Sequence, residues 1–202
     1  VILETVEDFF DNSVIDEAEI CKKYNLPINK KKILITGNVF YKNTNTSFLT
    51  LEKLIKKDQD ILFVRLGGVL NMDGFEHLSK YIKCLPFLKR REIPNIYKIC
   101  KILFFPSMYE GFGRPLLEAM QCGTPIVCSN NSAIPEVVGD AALKSDCYDV
   151  DSFVKNIVNL LTDEKFYLLK RNEGLERAKI FNLKNFHDKL INIYSTEINN
   201  FI

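Results

Sequence analysis

No charge of one sign dominates this sequence: 27 lysines and arginines stand against 26 aspartates and glutamates, for a formal net charge of +1. A chain built to grip nucleic acid carries a basic excess, so nucleic acid is not an expected partner. No run of about 18 apolar residues occurs, so no spanning helix is expected. Residues 1–20 hold seven acidic groups and no basic one, the reverse of the charged start of a secretory leader. None of the six cysteines (Cys21, Cys84, Cys100, Cys122, Cys128 and Cys147) forms a C-x-x-C pair, and their spacing argues against a zinc site. Cys100, Cys122 and Cys128 lie in or beside apolar runs, so reduced, buried thiols and a cytoplasmic location are expected. Internal repeats and low-complexity tracts are also missing. The first residue is Val1 rather than Met, and the chain is expected to be part of a longer one.

What is present is enough to bury a core: 202 residues, 47% hydrophobic and 26% charged. Residues 1–31 are polar and mixed, and read as a connector with a short helix near Asp16–Tyr24. Then strand-like and helix-like segments alternate. "KILITGNV", "DILFVRLGG", "IKCLPFL", "KILFFPS", "PIVCS" and "AALKSD" read as strands. Between them lie "NTSFLTLEKLIKKD", whose start offers caps at Asn45–Ser47, a weaker helix in "MDGFEHLSKYI", then "REIPNIYKICK", "RPLLEAMQ" and "AIPEVV". From Val150 the pattern is helical only: Val150–Leu161, Glu164–Phe181 and Leu183–Ile198. Such alternation predicts an α/β fold, a doubly wound, Rossmann-like parallel sheet with helices added at its C-terminal end. The divisions are 1–31 for the connector, 32–182 for the sheet domain and 183–202 for a closing helix. Sheets of this kind bind ligands beyond the carboxyl ends of their strands. No G-x-G-x-x-G follows the first strand, so a nicotinamide-dependent dehydrogenase is disfavoured.

One strand-end segment is chemically loaded: "FFPSMYEGFGRPLLEAMQCGTPIVCS", Phe104–Ser129. Pro115 suits a first helical position and Gly123 a helix end, so a helix should run near Arg114–Cys122. Its N-terminus offers free amides and a partial positive charge to an anion. Gly111 and Gly113 let backbone approach that anion closely. Glu110 and Glu118 flank the turn, and carboxylates accept hydrogen bonds from vicinal hydroxyls. A diphosphate beside a hydroxyl-rich group describes a nucleotide sugar. Lys89-Arg90-Arg91 reads as a solvated charge run, and Ser129–Ser132 either line the cleft or cap a helix.

This segment resembles a known family. "EGFGRPLLE" carries its E-x7-E spacing, and the stretch from "FFPS" to "DVDSF" is similar along its length to the C-terminal, donor-binding domain of GT-B glycosyltransferases. The family is the large retaining one called glycosyl transferases group 1, or family four. "ILITGNVFYKNTNTSFLTLEKL" resembles its first strand, phosphate loop and helix, "REIPNIYKICKILFFPS" the segment before the glutamate loop, "RAKIFNLKNFHDKLINIY" its closing helix, and "VILETVEDFF" its interdomain connector. The resemblance implies that Glu110 contacts the donor sugar and supports an oxocarbenium-like transition state. It implies that Glu118 holds the ribose hydroxyls, and that Gly111, Phe112, Gly113 and Arg114, with Gly37 and Asn38, face the sugar and diphosphate. Lys42 matches the lysine that neutralises the leaving diphosphate, a charge that grows as the glycosidic bond breaks. Asn38 stands where many members have arginine.

The same resemblance implies retention at the anomeric carbon, no metal and no cofactor beyond the nucleoside-diphosphate sugar itself; no Asp-x-Asp metal site is read here. It implies an absent N-terminal domain holding the acceptor site and a catalytic histidine, which His77 and His187 do not match. It also implies membrane-surface association of the full enzyme through that domain. The alternatives are a nucleotide-sugar-binding module inactive without its partner domain, and a GT-B sugar-nucleotide epimerase. Phe181, Phe186, Leu190, Ile193 and Tyr194 form an apolar stripe, whose exposure in the isolated domain would favour self-association.

Overall fold

Six short strands form one all-parallel sheet: β1 Lys31–Thr36, β2 Ile61–Leu66, β3 Ile82–Leu85, β4 Ile102–Phe105, β5 Ile126–Ser129 and β6 Ala142–Ser145, in the order β3-β2-β1-β4-β5-β6. The structure is a computed structural model that describes residues 4–37 and 39–200, without the side chains at 183–185, 189 and 197–200. Asn38 therefore lies outside the described residues. Strand residues alternate between two apolar layers, as a sheet covered on both faces requires. Leu34, Val64, Leu103 and Phe105 join one core. Ile33, Phe63, Phe104 and Val127 join the other.

The helices are α1 Glu17–Lys23, α2 Thr44–Ile55, α3 Ile93–Ile99, α4 Arg114–Cys122, α5 Ile134–Val138, α6 Val150–Thr162, α7 Glu164–Ala178 and α8 Leu183–Asn200. One core takes its helical residues from α1, α3, α4, α5 and the end of α7, among them Cys21, Ile96, Leu117, Val137 and Ala178. The other takes them from α2 and α6, among them Leu51, Leu54, Phe153 and Ile157. Val6, Phe10 and Leu26 of the connector are buried in the first core, so this segment packs with the sheet domain.

Three local expectations change. The weaker helix at "MDGFEHLSKYI" is a 3-10 stretch over Glu76–Tyr81, preceded by Gly74 at φ +80°. The α2 cap is not among residues 45–47: the helix starts at Thr44, behind Asn43 at φ +56°. The Asn43 amide donates instead to the carbonyls of Pro106 (3.2 Å) and Cys147 (2.7 Å), tying three strand-end loops together. Finally, Phe181 precedes α8 and is buried against Phe112, ring centroids 5.8 Å apart. Of the stripe residues on α8 itself, Phe186 and Leu190 are half-buried while Ile193 and Tyr194 are exposed.

Strand order runs one way from β1 through β2 and the other way from β4, so the switch point lies between β1 and β4. Crevices in such sheets open there. The loop after β1 carries Gly37 and Lys42, and the loop after β4 carries Glu110 and the turn into α4. The Met108 amide donates to the Tyr41 carbonyl at 2.8 Å, which joins the two loops.

Candidate functional site

Lys42 closes a 3-10 turn, Phe40–Lys42, and its side chain folds back over Gly37. Gly37 has φ +90°, and a Cβ there would sit 2.4 Å from Lys42 Cγ. Only glycine gives both that backbone and that space. The Lys42 ammonium reaches Glu110 Oε1 at 2.5 Å and lies 4.7 Å from the centre of the Phe105 ring. Both side chains are largely withdrawn from solvent, 14% and 9% exposed. Glu110 is itself fixed by Ser132, whose hydroxyl accepts the Glu110 amide at 2.8 Å from a left-handed backbone, φ +49°. Ser132 does not cap a helix: its hydroxyl holds the glutamate loop. The Ser129 hydroxyl donates to the Ser107 carbonyl and braces the same loop from β5.

The helix α4 begins at Arg114 with Pro115 in its first turn, as expected. Gly113 has φ +91°, and a Cβ would come within 2.9 Å of Leu116 Cδ1. Gly111 differs: nothing lies within 4 Å of its missing Cβ. The fold does not demand a glycine there, and the space above it is open. Phe112 turns inward, against Phe181.

Glu118, one turn into α4, is 5% exposed and both its oxygens are engaged. Oε1 pairs with Arg90 at 2.7 Å, and Oε2 accepts the Tyr97 hydroxyl at 2.8 Å. Burial, then the Glu118 charge, push the Tyr97 phenol well above its usual range, so it remains a donor. Arg90 also forks onto Glu7 of the connector, at 3.0 and 2.8 Å. Burial opposes the Arg90 charge, but hydrogen bonds to Glu7 and Glu118 outweigh it and raise its pKa. The Arg90 hydrogen bond holds Glu7 at about 2. Arg114 completes the set, 3.3 Å from Glu7 Oε2.

These groups border a pocket of about 440 Å³, lined by Glu7, Thr36, Arg90, Tyr97, Arg114 and Glu118 among others. Thr36 ends β1, and its hydroxyl is buried with no hydrogen-bond partner among the described residues. A second groove, about 510 Å³, lies beyond the Phe40–Lys42 turn and includes Phe40, Asn43, Asn71, Phe75 and Tyr148.

The structure therefore brings Gly37, Lys42 and Glu110 together, and places Gly111, Phe112, Gly113, Arg114 and Glu118 in sequence along the turn and helix that follow. Arg90 was missed: the run Lys89-Arg90-Arg91 is not simply solvated, since Arg90 pairs with Glu118 and Arg91 lies over Phe9. Charge runs carry no sequence mark for the member that folds inward. Arg65 was also missed. It is buried at the end of β2 and donates to the carbonyls of Gly37, Gly68 and Val69, holding two strand-end loops. His77 pairs with Glu52, 2.7 Å away on α2, and His187 lies on α8.

Among the described residues no group of three or more His, Cys, Asp or Glu is arranged to hold a metal. Contrary to the sequence reading, Asp-x-Asp pairs do occur, at Asp58/Asp60 and Asp149/Asp151. Asp58 and Asp60 pair with Lys31 and Lys30, Asp149 caps α6, and Asp151 pairs with Lys53. No helix among the described residues is long and apolar enough to cross a membrane.

The family model described as "Glycosyl transferases group 1" matches residues 16–178. O-antigen chain mannosyltransferase B of Escherichia coli is 41% identical over 114 residues, 56% of this chain and 30% of that protein. Among solved structures, sucrose-phosphate synthase from Thermosynechococcus elongatus superposes with a TM-score of 0.83 at 19% identity, over 98% of this chain and 52% of that one. Anabaena Alr3699/HepE in complex with UDP and glucose gives 0.79 at 16% identity, over 94% and 54%. These structural likenesses show a shared fold. The chain spans about half the length, or less, of the proteins it matches.

Proposed function

The chain belongs to the glycosyl transferases group 1 family, and from that premise we propose that it is the donor-binding half of a retaining, metal-independent glycosyltransferase. The observation that carries the reading is the meeting of Lys42 and Glu110 at the β1/β4 switch point, beside the start of α4. A cation there faces the charge that develops on a leaving diphosphate. A carboxylate beside it faces the positive charge that develops on the sugar.

The donor lies across the turn. Its diphosphate sits at the α4 N-terminus, near Arg114 and Gly37. Its ribose reaches Glu118 in the 440 Å³ pocket. Its sugar lies over Gly111, where the surface is open, against Glu110. The relative that is 41% identical is a mannosyltransferase, which favours a mannosyl donor here. The acceptor site belongs to a further domain, so this chain alone binds donor without turning it over.

The test is a transfer assay on the longer protein, with the anomeric configuration of donor and product read by NMR. The reading requires retained configuration, activity that survives EDTA, and no turnover by residues 1–202 alone. Inversion, or activity abolished by EDTA and restored by a divalent ion, contradicts it.

A further inference from the structure

We infer that Arg90 is the positioning residue of the ribose site: it fixes the carboxylate of Glu118 for the diol and ties that carboxylate to the connector through Glu7. The inference rests on the donor-binding reading above and names a residue that reading does not use.

Three observations carry it. First, Glu118 is a buried carboxylate whose cationic partner is Arg90, at 2.7 Å. A carboxylate offers about four acceptor positions. Arg90 takes one on Oε1 and the Tyr97 hydroxyl one on Oε2, which leaves one on each oxygen, the spacing of a vicinal diol. Second, Arg90 is itself held from two further sides. Its guanidinium lies 4.4 Å from the centre of the Phe10 ring, and it forks onto Glu7 at 3.0 and 2.8 Å. An arginine so fixed sets geometry, where a free one would only supply charge. Third, Glu7 and Phe10 belong to the connector, whereas Glu118 lies on α4. One guanidinium thus joins the segment that leads out of the domain to the group that reads ribose.

The groups facing Glu118 define what losing Arg90 does. Tyr97 approaches from α3, Arg114 and Cys122 lie on its own helix, and Glu7 reaches it only through Arg90. Tyr97 and Cys122 are kept protonated by burial, the thiol at about 12. Without Arg90, no cation contacts Glu118 among the described residues. Oε1 then has no fixed partner, and the carboxylate can turn away from the orientation that the diol requires.

The experiment is calorimetric titration of UDP, GDP and ADP, and of their 2′-deoxy forms, into the wild-type chain, Arg90→Met and Arg90→Lys, with dTDP beside them. Wild type should prefer the ribonucleotide by roughly tenfold or more, the scale of a hydrogen bond to a charged group. Arg90→Met should lose most of that preference while the deoxy form binds about as before. Arg90→Lys, which keeps a cation, should restore part of the preference. Arg90→Gln, neutral but polar, repeats the Met test should that variant fail to fold. A neutral variant that keeps the wild-type ribose preference overturns the inference. So does one that weakens ribo and deoxy forms equally. If wild type binds none of these nucleoside diphosphates, the donor-binding reading itself fails, and that outcome is distinct from either.

Discussion

At the scale of single residues, the site depends on paired charges withdrawn from water. Lys42 and Glu110 are 14% and 9% exposed in their side chains and 2.5 Å apart. Removing one member of such a pair leaves the other buried and uncompensated, which typically costs about 3–5 kcal/mol. Replacing both can be nearly neutral. Lys42→Met should therefore destabilise the chain by about 3 kcal/mol, and the double change Lys42→Met with Glu110→Gln should regain most of it in denaturant unfolding. Turnover by the longer protein should fall by about 100-fold or more in the single variant and stay low in the double. Stability and activity would then move apart. A double variant that regains activity along with stability would show that the pair is structural only.

At the scale of elements, the turns are what aim these residues. Gly37 sits at φ +90° against the stem of Lys42. Gly37→Ala must strain the backbone and push the lysine aside, at a cost of about 1–3 kcal/mol. A thermal melt should show a drop of roughly 2–4 °C per kcal/mol at this chain length, with a loss of turnover beyond what stability explains. An unchanged melt and unchanged turnover would mean that Lys42 does not need the position it holds. The same turns show why some of this was legible in sequence. Strand and helix cores declared themselves by period, as in "KILIT" and "SFLTLEKL", and the "EGFGRP" turn declared itself because glycine and proline each have one physical reason to be there. Asn43 did not: its amide bridges Pro106 and Cys147, residues 63 and 104 positions away, and no local pattern encodes such a bond. Ser132 is similar. It holds Glu110 from 22 residues downstream, whereas sequence offered only a cap or a cleft residue. Arg90 looked like its neighbours Lys89 and Arg91, because inward and outward members of a charge run differ only in tertiary surroundings.

At the scale of the whole molecule, a doubly wound sheet with its order reversed between β1 and β4 accounts for where the candidate site lies. Two loops from opposite halves meet at the switch point, and α4 aims its N-terminus beside them. The segment before α1 packs into the same core through Val6 and Phe10, so a displacement of that segment would be felt at Arg90. Family membership and fold agree with this layout, and the matched proteins extend well beyond the chain. The central claim is that the pocket beside α4 binds a nucleoside diphosphate through Glu118. It is tested most directly by a thermal-shift panel of UDP, GDP, ADP and dTDP, with their sugars, on the wild-type chain and on Glu118→Ala. A ligand at about 100 times its dissociation constant stabilises the folded state by about 2.7 kcal/mol. The account predicts that the ligands of one base raise the wild-type melting temperature and that Glu118→Ala, still folded, loses the shift. A shift of the same size in Glu118→Ala would contradict it.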